Sequence, residues 1–179
     1  MTPTLPSTVY RVTRVSYARS TAEALSGVGG LHDDGRWHSQ GHRIVYTAQS
    51  STLCLLERLV HADEWIADRH PDRVVLSISV PPISWTGFTA QELAGRDPNW
   101  RSEGSVLCRS LGDTWLQSAL SCALMVPSAA NPGDYNVLFN PDHSEFVTVL
   151  KANTTLDSAP LELDERIVSL ARARRAAGA

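Results

Sequence analysis

Alternating and helically spaced apolar positions divide the chain into short elements of both kinds. Val9 to Val15 reads as an opening strand containing Tyr10 and Arg11, and Thr21 to Leu25 as a short helix stopped by Gly27, Gly29 and Gly30. The polar run from Leu31 to Gly41 is a loop. Arg43 to Thr47 is a second strand, in which β-branched Ile44 and Val45 precede Tyr46. Ser50 or Ser51 is the expected N-cap of a helix reaching about His61. At about 100° per residue, Leu53, Leu56, Glu57 and Val60 share one side of it, so a carboxylate falls inside the apolar stripe. Leu55 and Leu59 occupy the other side, which would leave the helix covered all round.

Arg73 to Val80 alternates cleanly and ends at Pro81-Pro82, the pattern of a half-buried strand. Trp85 to Glu103, with Pro98 and interspersed glycines, is expected to be an irregular surface excursion. Gly112 to Leu120 reads as a helix with Asp113 near its start. Cys122 to Val126, Tyr135 to Phe139 and Phe146 to Leu150 are three further strand candidates, and Leu163 to Arg175 a terminal helix. Strands with helices between them, in no regular alternation, predict an α+β fold. With 179 residues and no repeat or linker, the expectation is one compact domain over 1–179, with its core at about 8–168 and a C-terminal helix and tail at about 163–179.

Composition narrows the function classes. A net charge of −3 argues against a broad basic surface for nucleic acid, and the basic cluster Arg172, Arg174 and Arg175 reads as a solvated helix end. No apolar run approaches the roughly 20 residues that span a bilayer, and Met1 to Ser7 lacks the features of a signal peptide. Cys54, Cys108 and Cys122 are odd in number and widely spaced, as for buried thiols in a reducing compartment, so a cytoplasmic location is expected.

Familiar catalytic signatures are absent. There is no Gly-x-Ser-x-Gly elbow, Gly27-Val28-Gly29-Gly30 is followed by no Gly-Lys-Ser/Thr, and no glycine fingerprint opens a helix. The six histidines form no His-Glu-x-x-His pattern; His38 and His42, four apart, lie in a turn-rich loop, and no metal is expected. What remains is single polar residues set among apolar ones. Arg36, in the glycine-led turn Gly35-Arg36-Trp37, could present its planar fork to a phosphate or carboxylate, or could cap loop carbonyls; Arg11 admits the same two readings. Tyr46 is either a core aromatic with a satisfied hydroxyl or a ring for stacking on a planar ligand. Glu57 is the anomaly, because burying a carboxylate is costly unless it is paired or used. Carboxylates in glycosidic cleavage stabilise an oxocarbenium-like sugar. Ser128 follows Pro127 at the end of an apolar strand, where its hydroxyl would point into a cleft or cap a turn.

Together these residues resemble the RES domain, the toxin half of bacterial Xre–RES toxin–antitoxin pairs, named for an arginine, a glutamate and a serine that match Arg36, Glu57 and Ser128. The match runs through Val9-Tyr10-Arg11, Gly35-Arg36-Trp37-His38-Ser39, Ile44-Val45-Tyr46-Thr47, Leu55-Leu56-Glu57-Arg58, Gly112-Asp113-Thr114-Trp115, Val126-Pro127-Ser128 and Tyr135 to His143. Two positions depart: His38 stands where the family often has asparagine, and Arg58 where an aliphatic residue is common.

The resemblance implies a fold similar to ADP-ribosyltransferase toxins, with NAD as substrate. It implies cleavage of the nicotinamide–ribose bond and depletion of cellular NAD, by hydrolysis or phosphorolysis, or transfer of ADP-ribose to a protein acceptor. Carried onto this chain, Arg11 and Arg36 would hold the pyrophosphate, and Tyr46 would sit at the nicotinamide-ribose end. Glu57 would stabilise the charge that builds as nicotinamide leaves, and Ser128 would position ribose or nicotinamide. The implied partner is a cognate Xre-like antitoxin, through which alone the complex would touch DNA. A catalytically inactive antitoxin-binding domain is the reading of a different class, and a nucleic-acid-binding toxin a weaker third.

Overall fold

In the computed structural model, which describes residues 4–60, 72–131 and 133–169, seven strands make one sheet. β1 (Thr8–Arg14), β2 (Val45–Ala48), β3 (Arg73–Ser79), β4 (Trp85–Gly87), β5 (Ala123–Pro127), β6 (Tyr135–Phe139) and β7 (Asp157–Pro160) lie in the order β4-β5-β6-β2-β1-β3-β7. Only β4 and β5 run parallel; every other neighbour is antiparallel. Helices between the strands are α1 (Thr21–Ala24), α2 (Ser51–Val60), α3 (Ala90–Arg96), α4 (Val106–Ser118) and α5 (Phe146–Ala152). The fold is α+β.

Strand alternation gives the sheet two covered faces. On β6, Val137 and Phe139 join Val9, Val45, Leu76 and Ile78 under α1 and α5, whereas Leu138 between them joins Trp37, Leu124 and Val126 under α3 and α4. A third cluster seats α2 through Leu53 and Cys54 on Val12 and Ala48. The backbone N–H of Val12 also donates to Cys54 Sγ at 3.1 Å, and burial pushes that thiol up to about 11, so it stays protonated.

The pairing is uneven across the sheet. β1 meets β3 over seven residue pairs and β2 meets β6 over four, but β1 and β2 share only Tyr10 with Ala48. Beyond that pair the two strands diverge, and α2, entered directly from β2, lies over the divergence.

Four expectations change. Trp85 to Glu103 is ordered: β4 runs beside β5, and α3 opens with a capping box in which Thr89 and Glu92 satisfy each other's backbone N–H. The helix expected to start at Gly112 starts at Val106, with Ser105 as its cap, so that Gly112 is mid-helix. Phe146 to Leu150 is helix, not strand; Phe146 and Val149 are buried one turn apart while Val147 faces solvent, and the β-branched run concealed that spacing. α2 is not covered all round, since Val60 is 53% exposed. Ser50 is its cap, accepting from the Leu53 N–H at 3.1 Å. The end of α2 near His61 falls outside the described residues. Of the terminal helix, 165–169 are helical and the remainder is outside them as well. No helix among the described residues is long and apolar enough to cross a membrane.

Candidate active site

The loop bearing Arg36 is built from its neighbours inward. The Gly35 N–H donates to the His38 carbonyl at 2.9 Å, closing a tight turn with Arg36 and Trp37 at its tip. Trp37, 2% exposed, is driven into the core and stacks on Phe88 with centroids 6.2 Å apart. Asp113 on α4 then clamps Ser39, the residue after the turn, accepting from its N–H at 2.7 Å and its hydroxyl at 2.6 Å. α4 approaches so closely here that a Cβ on Gly112 would lie 1.8 Å from the Trp37 carbonyl oxygen.

Held this way, Arg36 turns its guanidinium onto the turn that precedes α4. Nη1 donates to the carbonyls of Trp100 (3.1 Å) and Ser102 (2.9 Å), and Nη2 to that of Arg101 (3.2 Å). The guanidinium also bears on the Cys108 thiol, which it acts to lower against the effect of burial. Of the two sequence readings of Arg36, the geometry shows the loop-holding one directly. Arg11 reaches from β1 across the divergence, its Nη1 donating to the Tyr46 carbonyl at 2.9 Å. Its Nε is buried with no hydrogen-bond partner among the described residues, and burial lowers the guanidinium from its ordinary value, with Arg58 acting in the same direction.

Tyr46 lies under the Arg36 loop. Its hydroxyl accepts from the Trp37 N–H at 3.2 Å and is 2.8 Å from His38 Nδ1. Burial raises this phenol well above its ordinary value, so Tyr46 is a neutral hydrogen-bonding group. His38 occupies a slot that only glycines permit: a Cβ on Gly30 would fall 2.8 Å from its Nε2, and one on Gly35 2.5 Å from its Nδ1.

Burial also lowers the His38 imidazole from 6.5, against the Asp33 carbonyl, Asp113 and Asp34, with His42 adding to the lowering. The unfolded chain therefore binds the proton more readily than the fold does. The stability that neutral His38 supports is complete above pH of about 6.5 and is lost as pH falls toward the lowered folded value. In urea titrations between pH 7 and 5, the unfolding midpoint of the wild type should fall more steeply than that of His38→Asn; parallel slopes would sink this account.

Glu57, on α2, faces the other end of the same sheet surface. Its Oε1 accepts from Ser128 Oγ at 2.7 Å and from Asn136 Nδ2 at 2.6 Å. Oε2 carries no hydrogen bond among the described residues. The Ser128 hydroxyl, fully buried, also accepts from the backbone N–H groups of Ala130 (3.1 Å) and Asn131 (2.9 Å). It therefore does both things its position allowed, capping a turn and reaching the carboxylate.

β-Register relates the two clusters. Tyr46 pairs with Leu138 and Ala48 with Asn136, so Tyr46 and Asn136 project to one face. A second connection runs through the turn: Arg101, whose carbonyl Arg36 holds, donates from Nε (3.0 Å) and Nη2 (2.7 Å) to the carbonyl of Ala129, the neighbour of Ser128. Of the five residues singled out in the sequence, Glu57 and Ser128 bond directly, and Arg11 and Tyr46 join through a carbonyl. Arg36 makes no direct bond to the Glu57 cluster among the described residues and is linked to it through the 100–102 turn and through Tyr46. Asn136, Arg101 and Asp113 were not anticipated as site residues. Asn136 was legible by the criterion that found Tyr46, a polar side chain inside an apolar strand. Among the described residues, no three His, Cys, Asp or Glu side chains converge as a metal site requires.

A carboxylate held by two neutral donors, with arginines and a phenol near the same sheet face, can bind an anion and stabilise a nearby cationic centre. The model of the RES domain family matches residues 8–164. The chain is 36% identical over 121 residues to Toxin Res of Pseudomonas putida, covering 68% of this chain and 80% of that one. To Toxin Res of Photorhabdus laumondii it is 33% identical over 163 residues, with coverage of 89% and 96%. It is also 33% identical over 137 residues to the Prs ADP-ribosylating toxin of Sphingobium sp., covering 69% and 76%. In fold it is similar to a chain of the M. tuberculosis MbcT–MbcA toxin–antitoxin complex, with a TM-score of 0.69 over 96% of this chain and 90% of that one, at 17% identity.

Proposed function

Since the chain belongs to the RES domain family, we propose that it is the toxin of a toxin–antitoxin pair and an enzyme that consumes NAD by cleaving the nicotinamide–ribose bond. The observation that carries this reading is Glu57: a carboxylate fixed through one oxygen by uncharged donors, its other oxygen without a hydrogen bond among the described residues.

The chemistry follows from where charge appears. As the N-glycosidic bond breaks, its electron pair leaves with nicotinamide, which departs neutral, and positive charge develops on the ribose. A fixed carboxylate beside that carbon stabilises the transition state more than the ground state, which is what accelerates a reaction. Arg11 and Arg36 hold the pyrophosphate through charge-assisted bonds. The neutral Tyr46 packs at the nicotinamide-ribose end. An oxygen nucleophile, water or phosphate, then adds to the ribose, and any proton it carries on the new C–O oxygen passes to solvent.

Incubating the purified chain with NAD alone tests this. Nicotinamide should appear without any added protein, and NAD should fall in cells expressing the chain. Tyr46→Phe should slow release about tenfold or more, because it removes the hydroxyl that anchors the Arg36 loop. A second reading is favoured by the likeness to an ADP-ribosylating toxin: label from NAD appearing only on a protein acceptor would make this a transferase. Growth inhibition by Glu57→Ala equal to that of the parent would instead identify an inactive binding domain. The proposed partner is a cognate Xre-like antitoxin, consistent with the toxin–antitoxin complex that shares the fold and with a chain whose net charge of −3 leaves DNA contact to the partner. The proposed location is the bacterial cytoplasm.

A further inference from the structure

Asn136 stands inside the sheet, on β6, in register with Ala48 of β2 on one side and Val126 of β5 on the other. A backbone flanked by a strand on each side gives its side chain a fixed origin, and its amide donates to Glu57 Oε1 in a short hydrogen bond of 2.6 Å. Ser128 donates to the same oxygen, and its hydroxyl is then fully subscribed, with its one proton on Glu57 and its lone pairs taken by two backbone N–H groups. Two donors on one oxygen fix how the carboxylate is turned and leave Oε2 for whatever enters the site. An arginine in the place of Asn136 would cancel the charge. An amide holds the carboxylate and keeps its full negative charge available to a developing cation.

We propose that Asn136 is a positioning residue for the cleavage reaction, orienting Glu57 so that Oε2 faces the reacting ribose. This deepens the NAD-cleaving reading and rests on it.

The informative substitution is Asn136→Asp, which keeps the shape and replaces the N–H donor with a second carboxylate beside Glu57. Near neutral pH it should lower kcat about 100-fold, the scale expected when a reacting group is displaced by about an ångström, with KM for NAD within about threefold of the wild type. As pH falls and the introduced carboxyl gains a proton, it becomes a donor again. The rate should then recover in part, giving the variant a more acidic optimum than the wild type. A residue that merely supported the fold would not move the pH profile. Asn136→Ala should lose kcat to a similar extent with no acid recovery. Wild-type kcat and pH profile in Asn136→Asp, or a loss confined to KM, would overturn the proposal.

A readout without turnover separates this from the choice of substrate. In 1H–15N spectra of the wild type, one side-chain amide proton of Asn136 should be shifted downfield, and Glu57→Ala, which removes the acceptor, should return it. Two ordinary, unmoved protons would overturn the positioning role even if NAD were cleaved. The expected shift in a chain that releases no nicotinamide would uphold the contact and count against the NAD reading alone.

Discussion

Glu57→Gln should reduce nicotinamide release at least about 1,000-fold while leaving the thermal midpoint within about 2 °C of the wild type. The substitution is isosteric, and a glutamine carbonyl oxygen can still accept from Ser128 Oγ and Asn136 Nδ2, so the local network survives. What disappears is the charge. Removing one preorganised electrostatic group from a reacting centre costs about 10²–10³-fold, and a full charge opposite a forming oxocarbenium centre belongs at or above the top of that range. At about 1.36 kcal/mol per tenfold, the expected loss is about 4 kcal/mol of transition-state stabilisation. Because the effect is specific to the transition state, kcat should fall while KM changes little. A variant retaining more than a tenth of wild-type activity would remove Glu57 from the mechanism.

Gly112→Ala should have the largest effect on stability. The added methyl would fall 1.8 Å from the carbonyl oxygen of Trp37, 2.7 Å from its carbonyl carbon and 3.1 Å from its Cα, all backbone atoms with no rotamer to yield. Relief requires α4 and the Gly35–Ser39 loop to separate by more than an ångström, which would strain the paired bonds from Ser39 to Asp113 and the seating of Trp37 on Phe88. Overpacking of this kind costs about 3 kcal/mol or more, against about 1 kcal/mol gained from replacing a mid-helix glycine. The net loss of about 2 kcal/mol corresponds to a midpoint lower by about 4–8 °C for a chain of this size. Gly95→Ala is the internal control: it is also helical, but a Cβ there meets nothing within 4 Å, so only the propensity gain remains and the midpoint should rise slightly. Calorimetry on the two variants checks both signs at once. Gly112→Ala should also lose nicotinamide release, because the loop it displaces carries Arg36.

β3 was legible because its apolar positions alternate, as in Leu76 and Ile78, and β5 and β6 because they are short continuous apolar runs, buried on both faces at Leu124 and Met125 or Val137 and Leu138. β4 was not, because three residues cannot show alternation, although the Thr89–Glu92 box that starts the helix after it was plainly written in the sequence. Glu57 stood out because its apolar neighbours on α2 are local, and local periodicity is what a sequence displays. The partners of Arg36 are 64 to 66 positions away and are backbone carbonyls, which carry no residue identity, so its loop-holding role could be named as an option but not decided. Asn136 had a readable signal. Its target, 79 positions distant, did not.

The single rung between β1 and β2 has a further consequence. Among the described residues the seven strands form two ribbons, β7-β3-β1 and β2-β6-β5-β4, whose ladder has a single rung, Tyr10 with Ala48. The bond from Arg11 to the Tyr46 carbonyl adds a second fastening, made by a side chain where the ladder has run out. Any anion that recruits the Arg11 guanidinium draws on the group that fastens the ribbons. Occupancy of the site and cohesion of the sheet are therefore linked in free energy, each altering the other by the same amount.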